Sequence, residues 1–423
     1  MPSSSASSGP RPLPSLIFLT GLNLFNYLDR FILAAILGPL QADMHLSDGA
    51  AGRLVTAFML GYFVTSPFFG YLGDRFPRKW LVAGGVFVWS LGTVLSGLSP
   101  TYGALIACRL LIGLGEASYA TLAPGWLADL YPSEKRNNAL TIFYVAIPIG
   151  SALGYLLGSW VEHAYGWRWA FGVAGAPGLV LALLLLFQNE PVRGAMDRAA
   201  PSGGQPPSKL PAWRDMLGLF RIGDYNLTLL GYTAYTFALG AFGVWGPTFL
   251  VRMHGMANHK ADTFFGAVLV VAGLLGTLLG GFAASAWQRR NRAGYALTLG
   301  LSVAAGVPLA AAAFMVPGAT ASMVFLGLAM FALFLPTGPI NTLLLESVPA
   351  TLRASAMAVS IFVIHLFGDF WSPEIVGRLA DWWGSLGRAV LVLPVALALA
   401  AVFWLWLAAK HLAANRRVPT AAP

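Results

Sequence analysis

Three short stretches of this sequence place ionisable side chains where charge is expensive. Asp29 and Arg30 are adjacent inside SLIFLTGLNLFNYLDRFILAAILGPL, Arg109 and Glu116 stand seven apart in RLLIGLGE, and His365 and Asp369 stand four apart in HLFGD. A charge in the middle of a hydrophobic segment costs several kcal/mol unless a partner offsets it, so such residues mark ion or substrate paths by default. Seven residues make two helical turns, which puts Arg109 and Glu116 on one helix face about 10 Å apart in height. His365 and Asp369 share a face in the same way. The chemistry available is proton exchange and anion binding. A carboxylate caught between desolvation and neighbouring arginines can trade a proton, and an arginine so released is a bidentate receptor for phosphate or carboxylate. Histidine carries protons near neutral pH.

Helices must position these groups, and composition says they cross a membrane. The 423 residues are 57% hydrophobic and 10% charged, with a mean hydropathy of +0.69, whereas a soluble chain carries about 25% charged residues. A crossing needs about 20 residues. Apolar runs give twelve spans near 15–40, 49–72, 80–98, 102–129, 138–160, 167–188, 225–251, 262–286, 293–316, 319–346, 353–377 and 388–411. These runs are too long for the strands of a membrane barrel. Most of the 26 lysines and arginines fall in alternate loops and at both ends, which makes those loops and both termini cytoplasmic. Membrane topology thus accounts for the net charge of +9, and nucleic acid is not an expected partner. The single cysteine, Cys108, excludes an internal disulfide and a cysteine-based metal site. No cleavable signal is read at the N-terminus.

The break at 189–224, with GGQPPSKLPAW and several basic residues, divides the spans six and six. The expected organisation is a disordered tail (1–14), an N-terminal six-helix bundle (15–188), a cytoplasmic linker (189–224), a C-terminal six-helix bundle (225–411) and a C-terminal tail (412–423). GYLGDRFPRK (70–79) aligns with GFAASAWQRR (281–290) at a half-chain offset, each ending in two basic residues, with Ser285 where the first copy has Asp74. Two bundles around a midplane site is a common secondary-transporter plan. Counted from the inner ends, fourteen residues from Ser15 to Asp29 and thirteen from Asp129 to Glu116, both carboxylates lie roughly 20 Å deep. His365 lies about 18 Å deep by the same count from Arg353. Asn23, Asn26, Tyr144, Tyr235 and Asn341 have depths compatible with a polar path.

GYLGDRFPRK resembles the loop signature of the major facilitator superfamily, G-x-x-x-D-R-x-G-R-K, with Pro77 in place of the second glycine. The resemblance implies an all-α membrane protein with the major facilitator fold, and a loop that latches one state from the cytoplasmic side. Gly70, Asp74 and Arg75 carry that gate, with Glu346 and Arg353 at the inner ends of the tenth and eleventh spans as its counterpart. A narrower resemblance rests on NYLDRFILAAIL, RLLIGLGEASYATLAP, FYVAIPIGSALGY, GVWGPTFL and RASAMAVSIFVIHLFGDFWSPEIVGRLAD. These stretches are similar to the Spinster family. That resemblance implies a lipid or amphipathic substrate of sphingolipid or lysophospholipid type, with proton coupling. In the superfamily plan the first and fourth spans line the N-terminal cavity. Asp29 and Glu116 are then the proton-coupling pair, Arg30 and Arg109 bind the head group, and His365 with Asp369 is a second-half relay.

No GxxxxGK[ST] loop is present for a nucleotide-driven pump, and no nucleophile or general base is grouped as a lipid-modifying enzyme requires. Catalytic residues, metal ligands and cofactors are therefore not expected. The rival reading is a multidrug or organic-anion proton antiporter of the same superfamily. Substrate, protons and membrane lipids are the expected partners of a monomer in a bacterial inner membrane.

Overall fold

The computed structural model describes residues 11–46, 48–198 and 213–416. Residues 1–10, 199–212 and 417–423, where most of the expected tails and the centre of the linker fall, lie outside the described residues. Among the described residues, twelve helices are long and apolar enough to cross a membrane. In chain order they are Pro12–Met44, Ala50–Arg75, Arg78–Leu98, Tyr102–Leu130, Ser133–Tyr165, Trp167–Leu185, Gly223–His254, Thr263–Arg290, Gly294–Met315, Ala319–Glu346, Ala350–Trp383 and Leu386–Ala414. The first begins at Pro12, ahead of the apolar run, because proline fits the first helical turn, where its missing N–H is not needed.

Three spans are interrupted where proline removes a backbone donor. The fifth consists of Ser133–Tyr144 and Ala146–Tyr165, and Pro148 leaves the Tyr144 carbonyl without its usual partner. The tenth consists of Ala319–Phe334 and Thr337–Glu346, with Pro336 and Pro339 at the junction. The eleventh passes through a wide π turn at His365–Asp369, closed by the Phe370 amide donating to the His365 carbonyl at 3.1 Å. Pro373 would leave the Asp369 carbonyl bare, and the Ser372 hydroxyl lies 3.4 Å from it.

The helices pack into two compact units that follow contact rather than chain order. Of the described residues, the first takes those within 1–139, 153–213 and 349–358, and the second those within 140–152, 214–348 and 359–423. In the first unit the fourth span is the hub. A Cβ on Gly61 of the second span would stand 2.4 Å from the Leu110 carbonyl oxygen, and one on Gly115 would stand 2.5 Å from that of Gly85 in the third. Small residues let these backbones touch, which is how helices gain packing energy without a hydrophobic drive from lipid. Tyr119 of the fourth span donates to the Leu19 carbonyl of the first. In the second unit Tyr235 of the seventh span donates to the Leu333 carbonyl of the tenth, and Trp404 of the twelfth donates to Thr228 of the seventh at 3.2 Å.

Candidate functional site

The first unit buries a charged cluster on its first four spans. Arg30 leaves the first span and reaches Glu116 on the fourth, its Nη2 and Nε donating to Oε2 at 2.6 and 3.1 Å. Glu116 is fully buried and the Arg30 side chain is 20% exposed, so the pair has a solvent-accessible cationic end and a dry anionic end. The Asn26 amide, one turn before Arg30, lies beside the same carboxylate without a hydrogen bond of normal geometry. The Arg30 guanidinium also sits on aromatic faces, with its Cζ 5.1 Å from the Tyr27 centroid and 4.9 Å from those of Phe58 and Tyr62. Each such contact is worth about 0.5–2 kcal/mol, more when desolvated.

Asp29 and Arg109, expected beside this pair, take separate partners. Asp29 turns to the third span, where Thr93 Oγ1 donates to its Oδ2 at 2.5 Å, and its Oδ1 has no hydrogen-bond partner among the described residues. Adjacent residues on a helix point about 100° apart, so the Asp29 carboxylate meets Thr93 while Arg30 meets Glu116, and all four charges stay within electrostatic reach of one another. Arg109, two turns from Glu116 on the fourth span, donates through Nε to the Leu54 carbonyl at 3.3 Å. Its Nη1 is unpartnered among the described residues, and its Cζ lies 4.8 Å from the Phe58 centroid. One ring therefore serves two cations. The arrangement can hold a proton on either of two carboxylates and can present an anion with guanidinium N–H donors.

A second cluster gathers where Gly70, Asp74, Arg75 and Arg353 lie. Asp74 is buried and caps the helix Arg353–Ile364, accepting from the Ala354 amide at 3.2 Å, the Ser355 amide at 2.9 Å and the Ser355 hydroxyl at 2.5 Å. A carboxylate at a helix N-terminus satisfies orphan donors and meets the positive end of the dipole. Gly70 is required by the same contact, since a Cβ there would stand 2.4 Å from Ala358 Cβ. Arg75 is not in that cap; it stacks on Tyr71 at 4.4 Å. The neighbouring charges are instead Arg78, which pairs with Asp129 at 2.7 Å, and Arg353, which pairs with Asp129 at 2.9 Å and Asp197 at 2.8 Å. Arg136 pairs with Asp197 at 2.8 Å. Asp197 lies outside the spans; its partial burial pushes its carboxyl up, but Arg353 and Arg136 outweigh this and hold it below the usual carboxylate range. Glu346 ends its helix half-buried.

Relatives agree with this architecture. The chain matches the family model for the Major Facilitator Superfamily over residues 19–373. It is 35% identical over 393 residues to protein spinster of Drosophila melanogaster, covering 90% of this chain and 64% of that protein, so it spans just under two thirds of that relative's length. It is 34% identical over 425 residues to the sphingosine-1-phosphate transporter SPNS2 of Danio rerio, covering 93% and 83%. The chain belongs to the Spinster family of the major facilitator superfamily. Its fold matches the crystal structure of a bacterial homologue of the human lysosomal transporter Spinster, in an inward-facing and unoccupied conformation, with a TM-score of 0.66 at 23% identity over 98% of this chain and all of that one. Family membership makes it a transporter rather than an enzyme.

In this Spinster-family chain the second unit contributes His365 and Asp369, which the π turn brings together with Nδ1 2.8 and 3.0 Å from the two carboxylate oxygens. The turn bulges against the seventh span, where a Cβ on Gly240 would stand 2.4 Å from Asp369 Cβ. The Thr236 hydroxyl lies 3.2 Å from the Ile364 carbonyl oxygen. Tyr235 and Asn341, expected on a polar path, spend their donors on Leu333 and on Thr337 of the same helix. Sequence reasoning missed Tyr27, Phe58 and Tyr62, and it missed Asp129 and Asp197. The i, i+4 spacing of Phe58 and Tyr62 was readable, but only the packing of the second span on the first shows what they face. Asp129, an acid at the inner end of the fourth span, was a readable signal for the inner cluster beside Asp74 and Arg353.

Proposed function

We propose that this chain is a proton-coupled carrier of amphipathic lipids with an anionic head group, of the sphingolipid or lysophospholipid class, working by alternating access. The observation that carries the reading is the dry ion pair of Glu116 with the part-exposed Arg30. Protonating Glu116 removes the counter-charge and frees the Arg30 donors for a phosphate or carboxylate, and Arg109 adds a second cation. Asp29, held by Thr93, is the second proton acceptor, and His365 with Asp369 relays protons in the other half. The cap of Asp74 on the Arg353–Ile364 helix is the cytoplasmic latch, with Gly70 allowing the approach and Arg75, Glu346 and Arg353 at its margin. The name of the Danio rerio relative, a sphingosine-1-phosphate transporter, supports the lipid class. The protein then acts as a monomer in a bacterial inner membrane with both termini cytoplasmic.

The test is proton flux in proteoliposomes carrying an internal pH dye, on adding a lysophospholipid or sphingosine 1-phosphate. A lipid-dependent pH change that disappears in Glu116→Gln supports the reading. Lipid uptake without proton movement makes the protein a facilitator, and a response to organic anions or cations alone makes it a drug antiporter of the same superfamily.

A further inference from the structure

The aromatic surround of Arg30 is more elaborate than an ion pair requires. The guanidinium already has Glu116, yet it is also faced by three rings on two helices. Phe58 and Tyr62 stack nearly parallel, with an interplanar angle of 16° and centroids 5.9 Å apart, so they offer faces of one orientation. Tyr27, three residues before Arg30 on the first span, adds the third. Phe58 and Tyr62 are almost fully buried, and their positions are fixed because the second span is pressed against the fourth at Gly61 and Gly113.

A guanidinium lying on a ring directs all five N–H bonds along its own plane, away from the π face. Stacking and hydrogen bonding therefore do not compete. When Glu116 takes a proton, the ion pair lapses, and an arginine left with only the Tyr62 hydroxyl as hydrogen-bond partner would swing toward water or toward the Asp29 carboxylate. The rings prevent this, because a cation–π contact needs no carboxylate and strengthens as water is excluded.

We propose that Tyr27, Phe58 and Tyr62 are positioning residues that hold the Arg30 guanidinium in place while Glu116 is neutral, keeping its donor edge turned to an anionic head group. The identity of that head group rests on the reading above; the holding of Arg30 does not. The titratable and polar groups facing Arg30 and Glu116 are Asn26, Tyr27 and Asp29 from the first span, Tyr62 from the second and Arg109 from the fourth, with Thr93 of the third span holding Asp29. Phe58 has a double task, since it also faces Arg109. It spaces two like charges with a surface attractive to both, so an oxyanion meets a fixed pair of cations.

The first test uses the full chain without lipid. The arginine Nε–H resonance of Arg30, assigned by its loss in Arg30→Lys, is followed for solvent exchange by nuclear magnetic resonance. It should remain protected in Glu116→Gln, which mimics the protonated acid. It should exchange about ten-fold faster in Glu116→Gln combined with Phe58→Leu, the size expected of one desolvated cation–π contact. Phe58→Tyr, which keeps the face, should retain the protection, and Tyr27→Leu, which removes a ring facing Arg30, stands in if Phe58→Leu does not fold. If Glu116→Gln alone already releases the resonance and ring removal adds nothing, the holder does not exist.

The second test compares binding of sphingosine 1-phosphate with that of sphingosine at acid and neutral pH. Phe58→Leu should weaken the phosphorylated lipid at acid pH and leave the unphosphorylated one nearly unchanged. Equal losses for both lipids at every pH would make the rings mere packing and overturn the proposal. If the parent shows no pH-dependent preference for the phosphorylated lipid while the exchange result is as expected, the transport reading fails and the holder stands.

Discussion

Arg30 uses its shape as much as its charge. Two nitrogens meet one Glu116 oxygen while Cζ lies over three rings, and lysine offers neither a fork nor a flat face. Arg30→Lys should therefore keep the protein folded but lower lipid-dependent proton flux by about ten-fold or more, a loss worth one good contact, measured in proteoliposomes. Arg109 differs, being 2% exposed and, among the described residues, with no carboxylate in hydrogen-bonding contact. Arg109→Ala should weaken binding of anionic lipids much more than neutral ones; equal weakening would make Arg109 a structural cation. The adjacency of Asp29 and Arg30 was plain in the sequence, and so was the matching depth of Glu116. What the sequence could not say was which neighbouring span each of the two would meet, Asp29 turning to Thr93 on the third and Arg30 to Glu116 on the fourth.

At the scale of elements, close helix contact and the segment after the sixth span are the decisive features. Gly61→Ala forces a methyl onto the Leu110 carbonyl and should cost roughly 1–3 kcal/mol. Gly84→Ala, with nothing within 4 Å of the added carbon, should be neutral or slightly stabilising because alanine favours helix. Melting curves in detergent distinguish the two. After the sixth span the chain turns back on the loop at 74–79. Glu190 accepts from the Arg78 and Lys79 amides at 2.9 and 3.1 Å, Arg193 donates to the Asp74 and Phe76 carbonyls, and the Gly194 amide donates to Asp129 at 3.0 Å. A linker reading of 189–224 hid this, because a polar segment rich in proline and charge looks the same whether it hangs free or clasps a loop. Asp197 gives the clasp a pH signature. Its carboxyl is held below its unfolded value, near about 3.9, so the unfolded chain takes up protons first and Asp197 contributes stability at neutral pH. That contribution should persist down to about pH 4 and fall away as pH drops through the lower folded value. Protease cleavage near residue 198, measured against pH, should rise only on the acid side, and Asp197→Asn should remove that rise.

For the whole molecule, hydropathy alone located all twelve crossings, because a span of about 20 residues is a strong signal and its ends are marked by arginine, proline and glycine. The division into packed units was less legible. Residues 140–152 and 349–358 group with the opposite unit from the one that chain order assigns, and packing partners leave no periodic trace in a single sequence. Because Asp74 caps the segment at 353–355, Asp74→Asn should weaken that cap, leave the head-group binding proposed for Arg30 intact, and raise passive lipid leak through proteoliposomes. Unchanged leak would mean that the cap serves folding alone.

The wide turn at His365–Asp369 has a geometric result that outlasts its hydrogen bonds. One residue beyond the helical repeat advances the phase of everything after it by roughly 100°. The stretch Ser372–Trp383, with Glu374, Arg378 and Asp381 along its exposed side, is thereby keyed to a different compass direction from Arg353–Ile364. One continuous span can thus satisfy two unlike surroundings. An in-frame deletion of a single residue in the turn would restore an unbroken rod while rotating that charged edge away from the exposed side it now occupies.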